Sequence, residues 1–142
     1  MVTTPNFDGL AVGDELPTKV VQVRRGDLVN YAGVAADRNP IHWHDGVAAA
    51  AGFDTVIAHG MLTMAYAGAY LSSWTNDPSA VREYDVRFVS PVFVPIDTAA
   101  EIEFSGKIKS LDPQTRTGVI TLTALSNEKK IFGKALATVQ FA

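Results

Sequence analysis

The stretch Met61-Leu-Thr-Met-Ala-Tyr-Ala-Gly-Ala-Tyr-Leu-Ser-Ser-Trp74 decides the fold. Met61, Leu62, Met64, Ala65, Tyr66, Ala69, Tyr70 and Leu71 leave a helix over these residues no polar face, so the spacing predicts a helix buried nearly all round. Beyond Asn76-Asp77-Pro78 the period changes to two. Tyr84, Val86 and Phe88 alternate with Glu83, Asp85 and Arg87, the pattern of a half-buried strand. Ile102, Phe104 and Ile108 then alternate with Glu101, Glu103, Lys107 and Lys109, and Asp112-Pro113-Gln114 reads as a hairpin turn into Val119 to Leu125. A last strand carries Ala135, Ala137, Val139 and Phe141 on one face, after a solvated turn at Lys129-Lys130. Helices followed by a run of long strands predict an α+β fold with an antiparallel sheet, rather than repeated βαβ units. A sheet curled around the one apolar helix accommodates both halves.

Upstream of that helix, Thr18 to Arg25 reads as a short strand, and Asp27 as the cap of a helix through Leu28, Val29, Tyr31 and Val34. Asn39-Pro40 should stop it, because the residue before a proline is pushed out of helical geometry. Asp45 to Ala51 forms another short helical piece before a Gly52-Phe53-Asp54 break. With no internal repeat, linker or low-complexity tract, residues 1–142 are expected to form one domain.

Composition narrows the class of function. Twelve Lys and Arg against 15 Asp and Glu give a net charge of −3, and no basic run marks a nucleic-acid surface. The absence of cysteine removes disulfides, thiolate metal sites and cysteine nucleophiles together. Met1 to Gly13 shows no basic region leading into an apolar stretch, and no uncharged run is long enough to cross a bilayer; a cytoplasmic protein is expected. No Gly-rich phosphate loop lies between a strand and a helix.

The chemistry-bearing residues gather around one proline-fixed turn, Asp37-Arg-Asn39-Pro40-Ile41-His42. A carboxylate and an imidazole serve as acid and base for one reaction when both reach the same substrate atoms. The same residue types also build ordinary turns: Asp37 and Asn39 through side-chain to backbone bonds, with His42 packing or capping. Gly60, at the start of the apolar helix, has a backbone N–H with no partner inside the helix, at the positive end of its dipole. Such an N–H suits a developing oxyanion, though glycine also serves where a backbone must approach a sheet closely. His42 and His44 are spaced to share a strand face, but no third ligand at a usual spacing completes a metal site. Tyr66, Tyr70 and Trp74 form a helical stripe that reads as core, with a ligand-pocket wall as the other use. Arg82, Arg87, Lys107 and Lys109 read as the wet face of strands, with contact to an anionic ligand or partner as the other use.

Asp37-x-Asn39-Pro40-Ile41-His42, with Tyr31 before it and Ala48 after it, resembles the signature of the MaoC-like (R)-specific enoyl-thioester hydratases. Ala58-His59-Gly60-Met61 is similar to that family's approach to the central helix of a hot-dog fold. Within the family, the stretches from Ile57 to Met64, Glu83 to Phe88 and Lys130 to Ala135 resemble the catalytic B-type subunits of mycobacterial (3R)-hydroxyacyl-acyl-carrier-protein dehydratases, the Had complex of mycolic acid synthesis. The resemblance spans nearly the whole chain. It implies a hydro-lyase that removes water from a (3R)-3-hydroxyacyl thioester, with Asp37 and His42 as the catalytic pair and the Gly60 N–H on the enolate oxygen. Asn39 would orient the pair or the departing water, and His59 would support them. It further implies no metal or redox cofactor, an acyl thioester on carrier protein or CoA, and a second hot-dog subunit in a heterodimer. A homodimeric (R)-specific enoyl-CoA hydratase, a hot-dog thioesterase and a noncatalytic acyl-binding subunit are the rival readings. Which of Asp37 and His42 handles which proton stays open. One departure is Ala36, where the family commonly has glycine; a methyl is tolerable there with the expected negative φ, so no loss of function is read from it.

Overall fold

Strands form where the sequence alternates, and their apolar faces meet one helix. The computed structural model describes residues 5–142. The chain runs β1 (Glu15–Val23), α1 (Arg25–Ala35), α2 (Asp45–Ala50), α3 (Gly60–Thr75), β2 (Val81–Phe88), β3 (Ala100–Asp112), β4 (Thr117–Ser126), β5 (Lys129–Lys130) and β6 (Phe132–Gln140). The sheet is antiparallel throughout, in the order β1-β3-β4-β6-β2, with β5 paired on β4. This is the expected α+β hot-dog arrangement, and β1 and β2 are its edges. Met1–Thr4, the start of the segment read for a leader sequence, lie outside the described residues. Among the described residues, no helix is long and apolar enough to cross a membrane.

The alternation in β3 buries Ile102, Phe104, Gly106 and Ile108 and exposes Glu101, Glu103, Lys107 and Lys109, as expected. In β6, Ala135, Ala137 and Val139 face the same core, and Phe141 follows them. Gly106 is required by close approach: a Cβ there would stand 3.0 Å from the Leu16 side chain on neighbouring β1. Asp112 closes the β3–β4 hairpin by accepting hydrogen bonds from the Gln114 N–H (2.9 Å) and the Thr115 hydroxyl (2.8 Å). The Tyr66, Tyr70, Trp74 stripe proves to be core. Tyr70 stacks on Phe104 with ring centroids 6.2 Å apart and donates its hydroxyl to the Pro17 carbonyl at 2.9 Å, tying α3 to β1. Burial there pushes the Tyr70 phenol up to about 12.

Five expectations need correction. Lys129-Lys130 is not the turn but strand β5 on β4; the turn is Asn127-Glu128, both with positive φ, and the lysines pair back onto Leu125 and Ser126. The first strand starts earlier than Thr18 and stops before Arg24. Asp27 does not cap α1 from outside; it lies in the first turn, where its carboxylate accepts from the Arg24 N–H at 2.7 Å. The helix does not run on to Asn39-Pro40, because Ala36 adopts the left-handed conformation (φ 58°) and ends it. Finally, α3 is not buried all round. Leu62, Thr63, Ala67, Tyr70 and Leu71 are buried, while Ala65 and Ala69 are exposed and Met61 remains 58% exposed, because one curved sheet reaches only one side of a cylinder.

Ala36 also contradicts the expected negative φ. A Cβ in the left-handed region costs about 1–2 kcal/mol, and glycine returns about 0.4–1 kcal/mol of that through its freer unfolded chain. Ala36→Gly is therefore expected to raise stability by about 0.5–1 kcal/mol. Denaturant titration would test this; a loss of stability would mean that the methyl makes contacts worth more than its strain.

Candidate active site

The left-handed turn at Ala36 releases the chain from α1 and delivers Asp37 to residues 36–39, outside any regular element. Asn39 then starts a 3-10 turn, Pro40–His42: its side-chain oxygen accepts from the Ile41 N–H at 3.2 Å, and Pro40 supplies a preset φ. The Trp43 indole N–H donates to the Arg38 carbonyl at 3.1 Å and straps the turn from outside. His42 and His44 thus do not share a strand face. His42 ends the 3-10 turn and points inward, whereas His44 caps α2, its Nδ1 accepting from the Val47 N–H at 3.2 Å.

The His42 ring is 7% exposed and its Nδ1 lies 2.7 Å from the Ile57 carbonyl oxygen. A carbonyl only accepts, so the neutral ring carries its proton on Nδ1 and presents a lone pair at Nε2. That Nε2 stands 3.8 Å from Asp37 Oδ2. The distance is too long for a direct hydrogen bond, but one oxygen at about 2.8 Å from both atoms fits between them. Asp37 is half exposed at the rim, with its other oxygen 3.4 Å from the Asn39 N–H. Asn39 therefore orients Asp37 through its backbone; its side-chain oxygen is taken up by the turn.

His42 lines an open cavity of about 350 Å³ together with Ile57, Gly60, Thr63, Phe88 and Val92, whereas Asp37 and Asn39 are not part of its wall. Its walls are mostly apolar. Segment 56–58 reaches it by pairing with 92–94, through Ala58 N–H to Val92 O (2.8 Å) and Val94 N–H to Val56 O (3.0 Å). Gly60 opens α3 at the cavity wall, and its N–H has no hydrogen-bond partner among the described residues. The carbonyl of the same peptide unit, on His59, accepts from both Leu62 and Thr63, which polarises the Gly60 N–H outward. The Phe88 ring lies 3.4 Å from where a Gly60 Cβ would stand. A larger depression of about 590 Å³ crosses β1, β3 and β4 around Glu15, Glu103, Lys107 and Lys109 and holds none of Asp37, Asn39, His42, His59 and Gly60. Trp74 and Tyr70 line a separate groove, so the aromatic stripe does not wall the cavity at His42.

His59 is fully buried beside the pair, and its Nε2 lies 3.2 Å from the Asp37 carbonyl oxygen. Asp37, His42 and His59 thus offer three possible metal-ligand atoms within 4.8 Å of one another, a trio the sequence spacing did not suggest. The geometry does not suit one shared ion. The two imidazoles are stacked, with centroids 3.7 Å apart and planes 22° apart. Ring lone pairs lie in the ring planes, so stacked rings point them side by side; convergence on one ion would require one ring to turn. Other participants were also missed. Thr63, buried at the cavity, donates its hydroxyl to the Gly60 carbonyl at 2.6 Å. Its polarity within an apolar helix was the available signal. The Ile57 carbonyl carries no such signal in sequence.

An imidazole in the wall of an apolar cavity, a carboxylate 3.8 Å from it and a helix N–H in the same wall bring together residues of the motifs on which the family resemblance rests. Residues 9–128 match the family described as MaoC like domain. The chain belongs to the MaoC-like family. A 3-hydroxybutyryl-CoA dehydratase of Methylorubrum extorquens is 31% identical over 136 residues, covering 94% of this chain and 83% of that one. The 3-hydroxyacyl-thioester dehydratase X of Mycobacterium tuberculosis is 43% identical over 79 residues, covering 56% of this chain but only 27% of that protein. A solved MaoC-like dehydratase superposes with a TM-score of 0.95 at 55% identity, over 98% of this chain and 43% of that one. The chain thus spans less than half the length of some of the relatives it matches. The HadBC (3R-hydroxyacyl-ACP dehydratase) complex of Mycobacterium tuberculosis shares the fold, with a TM-score of 0.69 at 15% identity over 91% of this chain and 96% of that one.

Proposed function

We propose that this chain is the catalytic subunit of a hydro-lyase that removes water from (3R)-3-hydroxyacyl thioesters to give trans-2-enoyl thioesters. The observation that carries the reading is the His42 Nε2 lone pair, freed by the Nδ1–H bond to Ile57 and facing Asp37 at 3.8 Å, on a ring that lines an apolar cavity. His42 takes the C2 proton, and the electrons of the broken C–H bond run through the enolate to form the C2–C3 double bond. Asp37, directly or through water, passes on to the C3 hydroxyl the proton that His42 has taken, so that the hydroxyl leaves as water and both side chains return to their starting states. The Gly60 N–H stabilises the enolate oxygen meanwhile. None of these steps calls for a metal or a redox cofactor.

On the finer reading, the thioester sits on an acyl carrier protein in type II fatty acid or mycolic acid elongation, and the chain corresponds to the B-type subunit of a Had-like heterodimer. The relative named 3-hydroxybutyryl-CoA dehydratase favours CoA as the rival carrier. Hydration of crotonyl-CoA, followed by its loss of ultraviolet absorbance, tests the reaction; comparison with the carrier-protein thioester tests the carrier. Release of free thiol from an acyl-CoA lacking the 3-hydroxyl, without any hydration, would replace the reading by a thioesterase.

Gly60→Pro isolates the oxyanion donor. Proline is favoured at the first helical position, and His59 (φ −58°, ψ 130°) already has the extended backbone proline demands of its predecessor. The helix should survive without the N–H. Turnover is expected to fall about 10²–10³-fold, while Gly60→Ala, which keeps the N–H and asks only a small shift of Phe88, should retain most activity. Equal activity in both variants would remove Gly60 from the mechanism.

A further inference from the structure

We propose that His59 is a positioning residue that works as a permanently neutral ring: it fixes the Asp37 backbone by donating from Nε2–H and supports the His42 ring from beneath. This deepens the reading above and rests on it. His59 is 1% exposed and is absent from the cavity wall, so it does not touch substrate. Its tautomer follows from its partners. Among the described residues the hydrogen-bond partner of Nε2 is a carbonyl, which accepts, so Nε2 bears the proton; Nδ1 is buried with no hydrogen-bond partner. A second proton on Nδ1 would place an unpaired charge in the interior. The charged and titratable groups around the ring are Asp37 and His42, and the edge of Tyr31 packs against it with centroids 4.8 Å apart. Burial holds the His59 pKa below the ordinary imidazole value, and the neighbouring His42 lowers it further, against the raising effect of the bond to Asp37.

The consequence concerns His42. When His42 accepts a proton from substrate, its imidazolium lies 3.7 Å from the His59 ring. A charged neighbour at that distance would oppose proton transfer; a neutral one does not. His59 thus supplies the rigid contact of an aromatic ring together with a donor that holds the Asp37 peptide in place. Neither a phenyl ring nor an amide supplies both.

Two substitutions separate the contributions. His59→Gln keeps an N–H donor within reach of the Asp37 carbonyl, and His59→Phe keeps the stacked ring. His59→Phe is expected to lose at least about tenfold in kcat with KM nearly unchanged, since a misplaced catalytic group costs turnover rather than binding; His59→Gln should retain more of kcat. A kcat in His59→Phe equal to that of the unsubstituted protein would overturn the proposal. Nitrogen-15 imidazole spectra of the unsubstituted protein test it without relying on any variant's folding. His59 is expected to show protonated Nε2 and bare Nδ1 and to keep that pattern on mild acidification, since burial lowers its pKa. A proton on Nδ1 near neutral pH would overturn it. Because the spectra need no turnover, this result is independent of the identity of the substrate.

The lowered pKa also has a linkage consequence. An unfolded chain binds a proton at His59 below about pH 6.5, where the folded chain binds it less readily because burial lowers the His59 pKa, so acidification through that range favours unfolding. The unsubstituted protein should lose stability between neutral pH and the acid side more steeply than His59→Phe, with the other titrating groups common to both.

Discussion

Asp37→Asn is expected to lower turnover by about 10²–10⁴-fold, the range ordinarily supplied by a positioned acid or base, with little effect on folding. The Asp37 side chain is half exposed and lies outside any helix or strand, and asparagine keeps an oxygen to receive the Asn39 N–H. The companion His42→Ala should be as inactive, but it will not be structurally silent. His42 is buried and its loss leaves the Ile57 carbonyl without a donor, which costs about 1–3 kcal/mol. A melt must accompany the assay. Added imidazole, small enough for the space vacated, provides the control that separates a missing base from a damaged fold. Near-normal turnover in either folded variant would remove the proposed mechanism, whatever the substrate.

That difference between the two residues shows where the sequence stops being legible. The strands β3 and β6 could be placed because burial on one face imposes a period of two, and the Asp112-Pro113-Gln114 turn because its chemistry is local. The Asp37 to His42 motif was likewise local, and the family resemblance supplied its meaning. What decides the electronic state of His42 is a carbonyl on Ile57, and a backbone carbonyl has no side-chain identity to read. His59 is tied to Asp37 by the same kind of backbone bond, so its stacking on His42 could not be deduced from spacing along the chain. Ala36 was misjudged for a related reason: alanine disfavours the left-handed region, and only the need to turn from α1 towards the site forces it there. The overestimated burial of α3 has a different origin. Its composition was read correctly as having no polar face, but the sheet of this chain covers just one side.

That uncovered side carries the other large expected effect: the chain alone should be poorly active on long acyl substrates, and a second hot-dog subunit should restore activity. Met61 is 58% exposed, Phe88 44% and Val89 52%, and Phe88 and Val89 line the cavity itself. Strand β2, which carries Phe88, pairs with β6 on one side and presents an open edge on the other. An exposed apolar rim beside an unpaired edge is a surface to be covered, and a partner adding a strand there would also enclose the cavity over His42. The MaoC-like dehydratase that this chain covers to 43% of its length, at 55% identity, has room in one polypeptide for a second unit of this size. A homodimer would cover the same surface. The heterodimer differs from it in requiring only one Asp37–His42 pair for each two subunits. Co-expression with a homologous subunit lacking the Asp/His motif, followed by sizing and assay on short and long acyl thioesters, separates the two. A complex of the two different chains, with long-chain activity well above that of this chain alone, is the expected result. A stable homodimer with full long-chain activity, indifferent to the added subunit, would exclude the heterodimer while leaving Asp37 and His42 in their proposed roles.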